Sequence, residues 1–466
     1  MNLGKIPIVH RAGALASGVL VVAVAGGFLA TPVQAAGANA SNIVYTVHPI
    51  AIQDSAAKTV PTQFPTPSQC VAEAGLACYT PQILHQAYQI PWTINGEWAG
   101  SGQTVVIVDA FGSPTVASDL ATYSAEFGLP TAKLNVIYPN GKPAYNPRQN
   151  AGNETGWAEE TSLDVQTVHA LAPGATIDLV VAPTNYGNAL NNAERYAVAN
   201  HLGAVMSMSF GSDEAAIAGR GNNLQLQQAE AIYQQAAADG MSVFASSGDG
   251  GASDGYSVAN ALFPASDPLV TAAGGTDLFV SDSGAYQSET VWNDTDPSLC
   301  PFGCAYGPFG ATGGAPSSLF PAPSYQTGTM RTTSDVAFNA SVYTATMIYL
   351  GFLGASNNGF YFFGGTSEAA PSWAAITADL DQAAGHSLGQ LNPILYSLAA
   401  NATSYSADFH DVTVGNNEDP YNSAPGFDAA TGYDLPTGLG TPIVTGLLNS
   451  LASGTSYSLE FPSTTP

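Results

Sequence analysis

Apolar residues in the first half of the chain gather into short unbroken runs, and helical-period stretches separate them. Gly102–Ala110, Thr176–Ala182, Ala204–Phe210 and Ser242–Ser246 are such runs, rich in Val and Ile, as expected of parallel strands buried on both faces. Between them the spacing predicts helices over Ser118–Phe127, Gly156–Leu171, Asn188–Asn200 and Leu224–Asp239, after a short one over Pro81–Tyr88. Strand and helix in turn predict an α/β fold, a parallel sheet with helices on both faces. In such sheets a site gathers beyond the carboxyl ends of the strands. Gly274 to Gly365 reads as long loops and short strands. A helix follows over Ala369–Ile376 with Pro371 in its first turn, and Asp408–Gly440 is a loop dense in Asp, Asn and Gly.

The two ends have a different character. Lys5 and Arg11 precede an apolar run from Ala14 to Ala30 and then small residues to Ala36, the layout of a secretory signal over 1–36. The run is also long enough for an uncleaved anchor. Residues 37–80 are rich in Ala, Ser, Thr, Pro and Gln with little periodicity, and read as a poorly ordered arm. The expected order is then one large domain over 81–453 and a polar tail over 454–466, secreted and monomeric.

Composition narrows the partners. With 9 Lys and Arg against 35 Asp and Glu, the formal charge is −26, so nucleic acid and anionic membrane surfaces are unfavourable partners. Such a surface suits an acid extracellular setting. Cys70 with Cys78 and Cys300 with Cys304 are two local pairs, read as small-loop disulfides, with a four-cysteine zinc site as the rival.

Three stretches could carry chemistry. Gly364-Gly365-Thr366-Ser367 leads into a helix, which puts Ser367 where backbone N–H groups favour a developing negative charge. An ordinary helix cap is the alternative. No histidine among His85, His169, His201, His386 and His410 lies in a base motif, whereas Glu160 and Asp164, four apart, share one helix face. A packed carboxylate pair shares a proton and raises one pKa. Asp249 follows the Ser242–Ser246 strand in Ser247-Gly248-Asp249-Gly250.

Together these segments resemble the sedolisins, serine-carboxyl peptidases on a subtilisin-like α/β fold, over about Cys78 to Leu451. The likeness includes Gly156-Trp157 through Glu160 to Asp164, Ala170–Ala175, Ser207–Gly211 and the Asp249 and Ser367 turns; Gly364 departs from the Ser usual there. The resemblance implies Ser367 as nucleophile, Glu160 as general base and then acid, Asp164 as its orienting partner and Asp249 as oxyanion donor. Glu159 does not fit the family spacing. A carboxylate base works at about pH 3 to 5, where an imidazole is already protonated. Protein or peptide substrates follow, with Ser207–Gly211 and Gly313–Pro316 as lining. Endopeptidase action is the first expectation, tripeptidyl trimming the second.

The resemblance also implies one Ca²⁺, held by Asp411, the carbonyls of Val412, Ala430 and Gly432, and Asp434, a hard-oxygen set suited to that ion. Asp428 has similar surroundings but the wrong distance to Thr437. Many sedolisins carry a long folded prosegment, and 37–80 is too short to be one. Two other readings compete: a subtilisin-type peptidase using Asp109, otherwise read as a turn aspartate ending its strand, and a silent secreted binding protein on the same scaffold.

Overall fold

The β-branched run Thr104–Ala110 forms the central strand β1 of an eight-stranded sheet, with every residue after Thr104 buried. The computed structural model describes residues 42–53, 64–146, 153–219, 224–296, 298, 301–304, 306–419, 424–452 and 457–461. The other strands are β2 (Lys133–Ile137), β3 (Thr176–Ala182), β4 (Val205–Met208), β5 (Ser242–Ser246), β6 (Thr271–Val280), β7 (Tyr286–Val291) and β8 (Val336–Asn339). Their order is β2-β3-β1-β4-β5-β6-β7, with β8 also beside β6; all neighbours are parallel except β6 and β7. The chain winds outward from β1 to β2, returns, and then crosses to β4. That reversal puts a crevice at the carboxyl ends of β1 and β4.

Helices cover both faces, as the alternation predicts. Val105 and Ile107 of β1 pack on the side of α1 (Val116–Phe127), α2 (Glu154–Leu171) and α5 (Thr366–Ala384). Val106 and Val108 pack on the side of α3 (Gly187–Ala199) and α4 (Leu224–Ala238). Helix α2 is buried from Gly156 to Leu171 and α5 over nearly its whole length, so neither has a solvated face.

Three expectations need correction. Pro371 lies inside α5, not in its first turn, because the helix already begins at Thr366. Gly274–Gly365 contains most of the ten-residue β6, which begins at Thr271, and two regular strands of seven and six residues, β9 (Thr344–Leu350) and β10 (Gly359–Gly364), which belong to a second sheet. The arm is structured where it is described. Ile50–Gln53 pairs with β10, Pro67–Ala74 is a helix with a Thr66–Gln69 capping box, and Ala77–Tyr79 pairs with β9. Its order comes from strands elsewhere in the chain, which local periodicity does not reveal. In the tail, Leu459–Glu460 pairs with Thr93–Ile94.

Cys70 and Cys78 form a disulfide with Cα atoms 5.9 Å apart. The second expected pair involves Cys300, and the expected signal spans 1–36; both lie outside the described residues. Among the described residues no helix is long and apolar enough to cross a membrane.

Candidate active site

Ser367 is the second residue of α5 and is 3% exposed. The turn before it has no room for side chains. A Cβ on Gly364 would meet the Val342 nitrogen at 2.4 Å, and one on Gly365, whose φ is 118°, would meet Asp249 Oδ2 at 2.8 Å. Glycine at 364 is therefore required by the packing of this chain. Further along, Pro371 has no N–H to give the carbonyl of Ser367 four residues earlier. The Ser209 hydroxyl lies 3.2 Å from that carbonyl instead.

The structure brings Glu160, Asp164, Asp249 and Ser367 into one neighbourhood. Glu160 is fully buried on α2, and burial, then Asp164, drive its pKa well above the ordinary value. The neighbouring Ser367 hydroxyl opposes this rise, while Asp109 and Asp249 add to it; among the described residues neither carboxylate oxygen of Glu160 has a formed hydrogen bond. Asp164 is likewise buried and raised, first by burial and then by Asp109, with Ser209 Oγ 2.8 Å from its Oδ1 opposing the rise. Asp249, partly exposed beyond β5, accepts from the Thr366 N–H and Oγ, both at 2.7 Å. Burial raises its pKa too, and those two bonds moderate it.

A fourth acid joins Glu160, and the sequence offered it only as a subtilisin-type triad aspartate or a turn aspartate ending its strand. Asp109 is not a solvated turn residue; it is 0% exposed, and burial pushes it up to about 7. Its position follows from strand alternation: counting by twos, Val105, Ile107 and Asp109 face the same side of β1, and α2 lies on that side. Asp109 and Asp164 thus both meet Glu160, and no Lys or Arg among the described residues acts on any of the three. Glu159, next to Glu160, turns elsewhere and acts on Tyr145 and Tyr361; burial pushes it up to about 7.

No imidazole from the body of the chain joins the group. His85 stacks on Trp92 at 3.6 Å and bonds the Ile90 and Ala170 carbonyls, His169 bonds the Pro130 carbonyl, and His410 stacks on Tyr286 at 3.7 Å. His201 lies 3.6 Å from Asp239, and His386 bonds the Ser387 carbonyl. His48, in the arm, is close enough to Asp249 to act on its charge.

The lining segments differ from each other. Gly211 pairs its backbone with Thr46 of the arm, at 2.9 and 3.2 Å. Gly313 is instead packed under the Asp249 turn, its N–H donating to the Gly248 carbonyl at 2.6 Å. Residues 311–315 are buried and present no free edge.

Asp411 and Asp434 come together around the turn 430–434. Asp411 accepts from the Gly432 N–H at 3.1 and 3.2 Å and from the Tyr405 hydroxyl at 2.9 Å. Asp434 accepts from the Ala430 N–H at 2.9 Å, the Thr437 N–H at 2.8 Å and the Thr437 hydroxyl at 2.9 Å. Burial pushes Asp434 up to about 6, and Asp411 adds to the rise. Each carboxylate oxygen has two acceptor directions, so acceptor capacity remains after these bonds. Among the described residues no cluster of three or more His, Cys, Asp or Glu could hold a metal, so backbone carbonyls would have to complete any set. Two mutually repelling carboxylates in a carbonyl-bearing turn fit a hard cation. Asp428 bridges to Asn416 instead.

A scan against protein-family models finds no match. The chain is 34% identical to kumamolisin of Bacillus sp. (strain MN-32) over 406 residues, 83% of this chain and 66% of kumamolisin. Sedolisin of Pseudomonas sp. (strain 101) is 32% identical over 348 residues, 70% of this chain and 54% of that protein. This chain therefore spans about two thirds of kumamolisin's length and about half of sedolisin's. A solved structure of Pseudomonas sedolisin, a serine-carboxyl proteinase complexed with two molecules of pseudo-iodotyrostatin, aligns with a TM-score of 0.68 at 28% identity. It covers 81% of this chain and 99% of that one.

Proposed function

Because this chain belongs to the sedolisin family, we propose that it is a serine-carboxyl peptidase that works in acid, with Ser367 as nucleophile. The observation that carries this reading is the burial of Glu160 near the Ser367 hydroxyl with no imidazole or cation of the described residues acting on it. While Asp109 and Asp164 hold their protons, the like charges that oppose ionisation of Glu160 are absent, and the nearby Ser367 hydroxyl favours its carboxylate. The three acids titrate as a unit.

In the proposed reaction Glu160 takes the hydroxyl proton as Ser367 Oγ attacks the peptide carbonyl. Protonated Asp249 donates to the oxyanion. Glu160 then returns the proton to the leaving amine as the C–N bond breaks, leaving an ester on Ser367. Water attacks that ester with Glu160 again as base, which releases the acid product and restores the hydroxyl. Asp164 holds Glu160 in place and keeps its charge low.

Endopeptidase action is the form we favour. A described segment of the chain itself pairs with Gly211 on one side of the Ser367 turn and with β10 on the other, which supports a cleft open at both ends. A tripeptidyl trimming enzyme would need one end closed. We also propose secretion, and one structural Ca²⁺ held by Asp411, Asp434 and the carbonyls of Val412, Ala430 and Gly432. When bound, the ion offsets the repulsion between the two carboxylates and ties the 430–434 turn to Asp411.

Incubating the protein with a denatured protein at about pH 4 and sequencing the released peptides by mass spectrometry tests this reading. Internal cuts that disappear in Ser367→Ala are expected. Equal cutting by both, or release of tripeptides alone, would overturn the nucleophile or the endopeptidase form respectively.

A further inference from the structure

Glu368 follows Ser367 in the first turn of α5 and is 0% exposed. A Glu three residues after the helix cap ordinarily reaches back to the N–H of the capping residue. Here the N–H of that residue, Gly365, goes to the Ala340 carbonyl at 2.5 Å, and the Glu368 carboxyl reaches sideways into the junction between the two sheets. The Thr346 hydroxyl of β9 donates to its Oε1 at 2.8 Å, and Asn339 Nδ2, at the end of β8, lies 3.4 Å from both carboxyl oxygens. Asn339 is itself held from three sides. Its Oδ1 accepts from the Thr344 hydroxyl at 2.8 Å and the Leu278 N–H at 3.3 Å, its Nδ2 donates to the Thr344 carbonyl at 2.8 Å, and its backbone N–H donates to the Tyr88 hydroxyl at 3.0 Å. Tyr88 in turn donates to Glu289 of β7 at 2.7 Å.

We propose that Glu368 is a positioning residue whose carboxyl clamps the first turn of α5, and with it Ser367, to β8 and β9. This rests on the peptidase reading above. Because the side chain does not cap its own helix, the N–H groups of the turn stay free of it. Asp249 takes that of Thr366 at 2.7 Å, and the field of the helix end is left to charge developing beside Ser367.

The clamp suits an acid site. No Lys, Arg or His among the described residues acts on Glu368, and burial pushes it up to about 8 against the bonds from Thr346 and Asn339. The titratable side chains that feel its charge are Tyr79 on the Ala77–Tyr79 strand, Tyr88 after the Pro81–Ala87 helix and Tyr123 on α1, each kept neutral first by burial. Glu289, beyond Tyr88, is pushed up to about 7, again first by burial. Over about pH 3 to 5 the junction is therefore uncharged, and a neutral carboxyl still accepts both bonds. As pH rises through the folded value of Glu368, the lost proton leaves a buried charge with no cation to offset it, and the turn loosens.

The test compares the full chain with Glu368→Ala, Glu368→Gln, Thr346→Val and the combined Glu368→Ala and Thr346→Val on a fluorogenic peptide. Valine keeps the volume of Thr346 and removes only the donor, so the clamp is tested even where Glu368→Ala fails to fold. At about pH 4 Glu368→Ala and Thr346→Val are each expected to lower kcat by about tenfold with KM little changed, and the combination to lose no more than either. Glu368→Gln, which keeps an acceptor and cannot ionise, should restore most of the rate. The ratio of kcat in Glu368→Gln to kcat in the unmodified chain cancels the titration of the catalytic acids. It should be flat below about pH 6 and reach about twice that value near pH 8, where half of Glu368 is ionised. Hydrogen exchange of residues 364–370, read by mass spectrometry, should be faster in Glu368→Ala and Thr346→Val and unchanged in Glu368→Gln. Additive losses, a loss confined to KM, or a Glu368→Gln as impaired as Glu368→Ala would overturn the clamp, and a ratio flat to about pH 8 would overturn the part its proton plays. Unaltered rates and exchange in every variant of an active chain would sink the clamp and leave the peptidase reading intact. The expected exchange pattern without hydrolysis by the unmodified chain would uphold the clamp on the turn and sink the peptidase reading.

Discussion

Ser209 Oγ lies 2.8 Å from Asp164 Oδ1, and the same hydroxyl is 3.2 Å from the Ser367 carbonyl. A hydroxyl has one hydrogen, so it can serve both only if Asp164 is protonated and donates to Ser209 while Ser209 donates to Ser367. The raised pKa of Asp164 makes that state the resting one in acid. Ser209 would thus fix the first turn of α5 that Pro371 leaves open. Ser209→Ala is expected to lower kcat by about tenfold with little change in KM, and Ser209→Thr to restore most of it. Steady-state kinetics at acid pH check this; a loss confined to KM would contradict it.

Asp249 donates to an oxyanion only while it holds its proton. Burial raises its pKa, which extends that range upward from the usual carboxylate value; the proton is lost as pH rises through the shifted value. Asp249→Ala is expected to cost about 10²- to 10³-fold in kcat. Asp249→Asn keeps a donor at every pH, so it should lose less and move the alkaline limb of the pH profile upward. Equal losses and unshifted profiles for the two variants would count against an oxyanion role.

Neutral pH should destabilise the fold. Burial pushes Asp109, Glu159, Asp267, Glu289 and Asp294 up to about 7, and Glu194 and Glu368 up to about 8. Among the described residues the one fully buried Lys or Arg is Arg331, already paired with Asp335 at 2.5 Å. For these acids the folded pKa exceeds the unfolded one. Their stabilisation is therefore full below about pH 4 and is lost as pH rises through the folded values, by about 1.4 kcal/mol per pH unit for each proton retained. Calorimetry should find the highest melting temperature near pH 3 to 4 and a steep fall between about 5 and 8. A melting temperature that rises over that interval would refute the argument.

Calcium should act most strongly toward neutral pH. Asp434, pushed up to about 6, must lose its proton to ligate, so protons compete with the ion below that value. Added Ca²⁺ at a hundred times its dissociation constant would stabilise by about 2.7 kcal/mol. The predicted rise in melting temperature is larger at pH 7 than at pH 4 and absent in Asp434→Ala; no rise in the unmodified protein at either pH would remove the site.

Most of the sheet was legible because parallel strands buried on both faces leave uninterrupted Val and Ile runs, as in Thr176–Ala182. The convergence of Glu160, Asp164, Asp249 and Ser367 was legible through motif resemblance; spacing alone linked only Glu160 to Asp164. Asp109 escaped because a strand-end acid looks the same whether it meets water or a helix, and only the parity of β1 separates the two. The arm escaped for a different reason. Its strands exist by pairing with β9, β10 and Gly211, partners more than a hundred residues away, and nothing in its own composition announces them.

The account stands on a carboxylate, not an imidazole, taking the proton from Ser367. The most direct measurement is the pH profile of kcat/KM for the unmodified chain and Glu160→Gln on one peptide substrate. A maximum between about pH 3 and 5, reduced by about 10²- to 10⁴-fold in Glu160→Gln, is the predicted result. A maximum near pH 8, or undiminished activity in the variant, would contradict it.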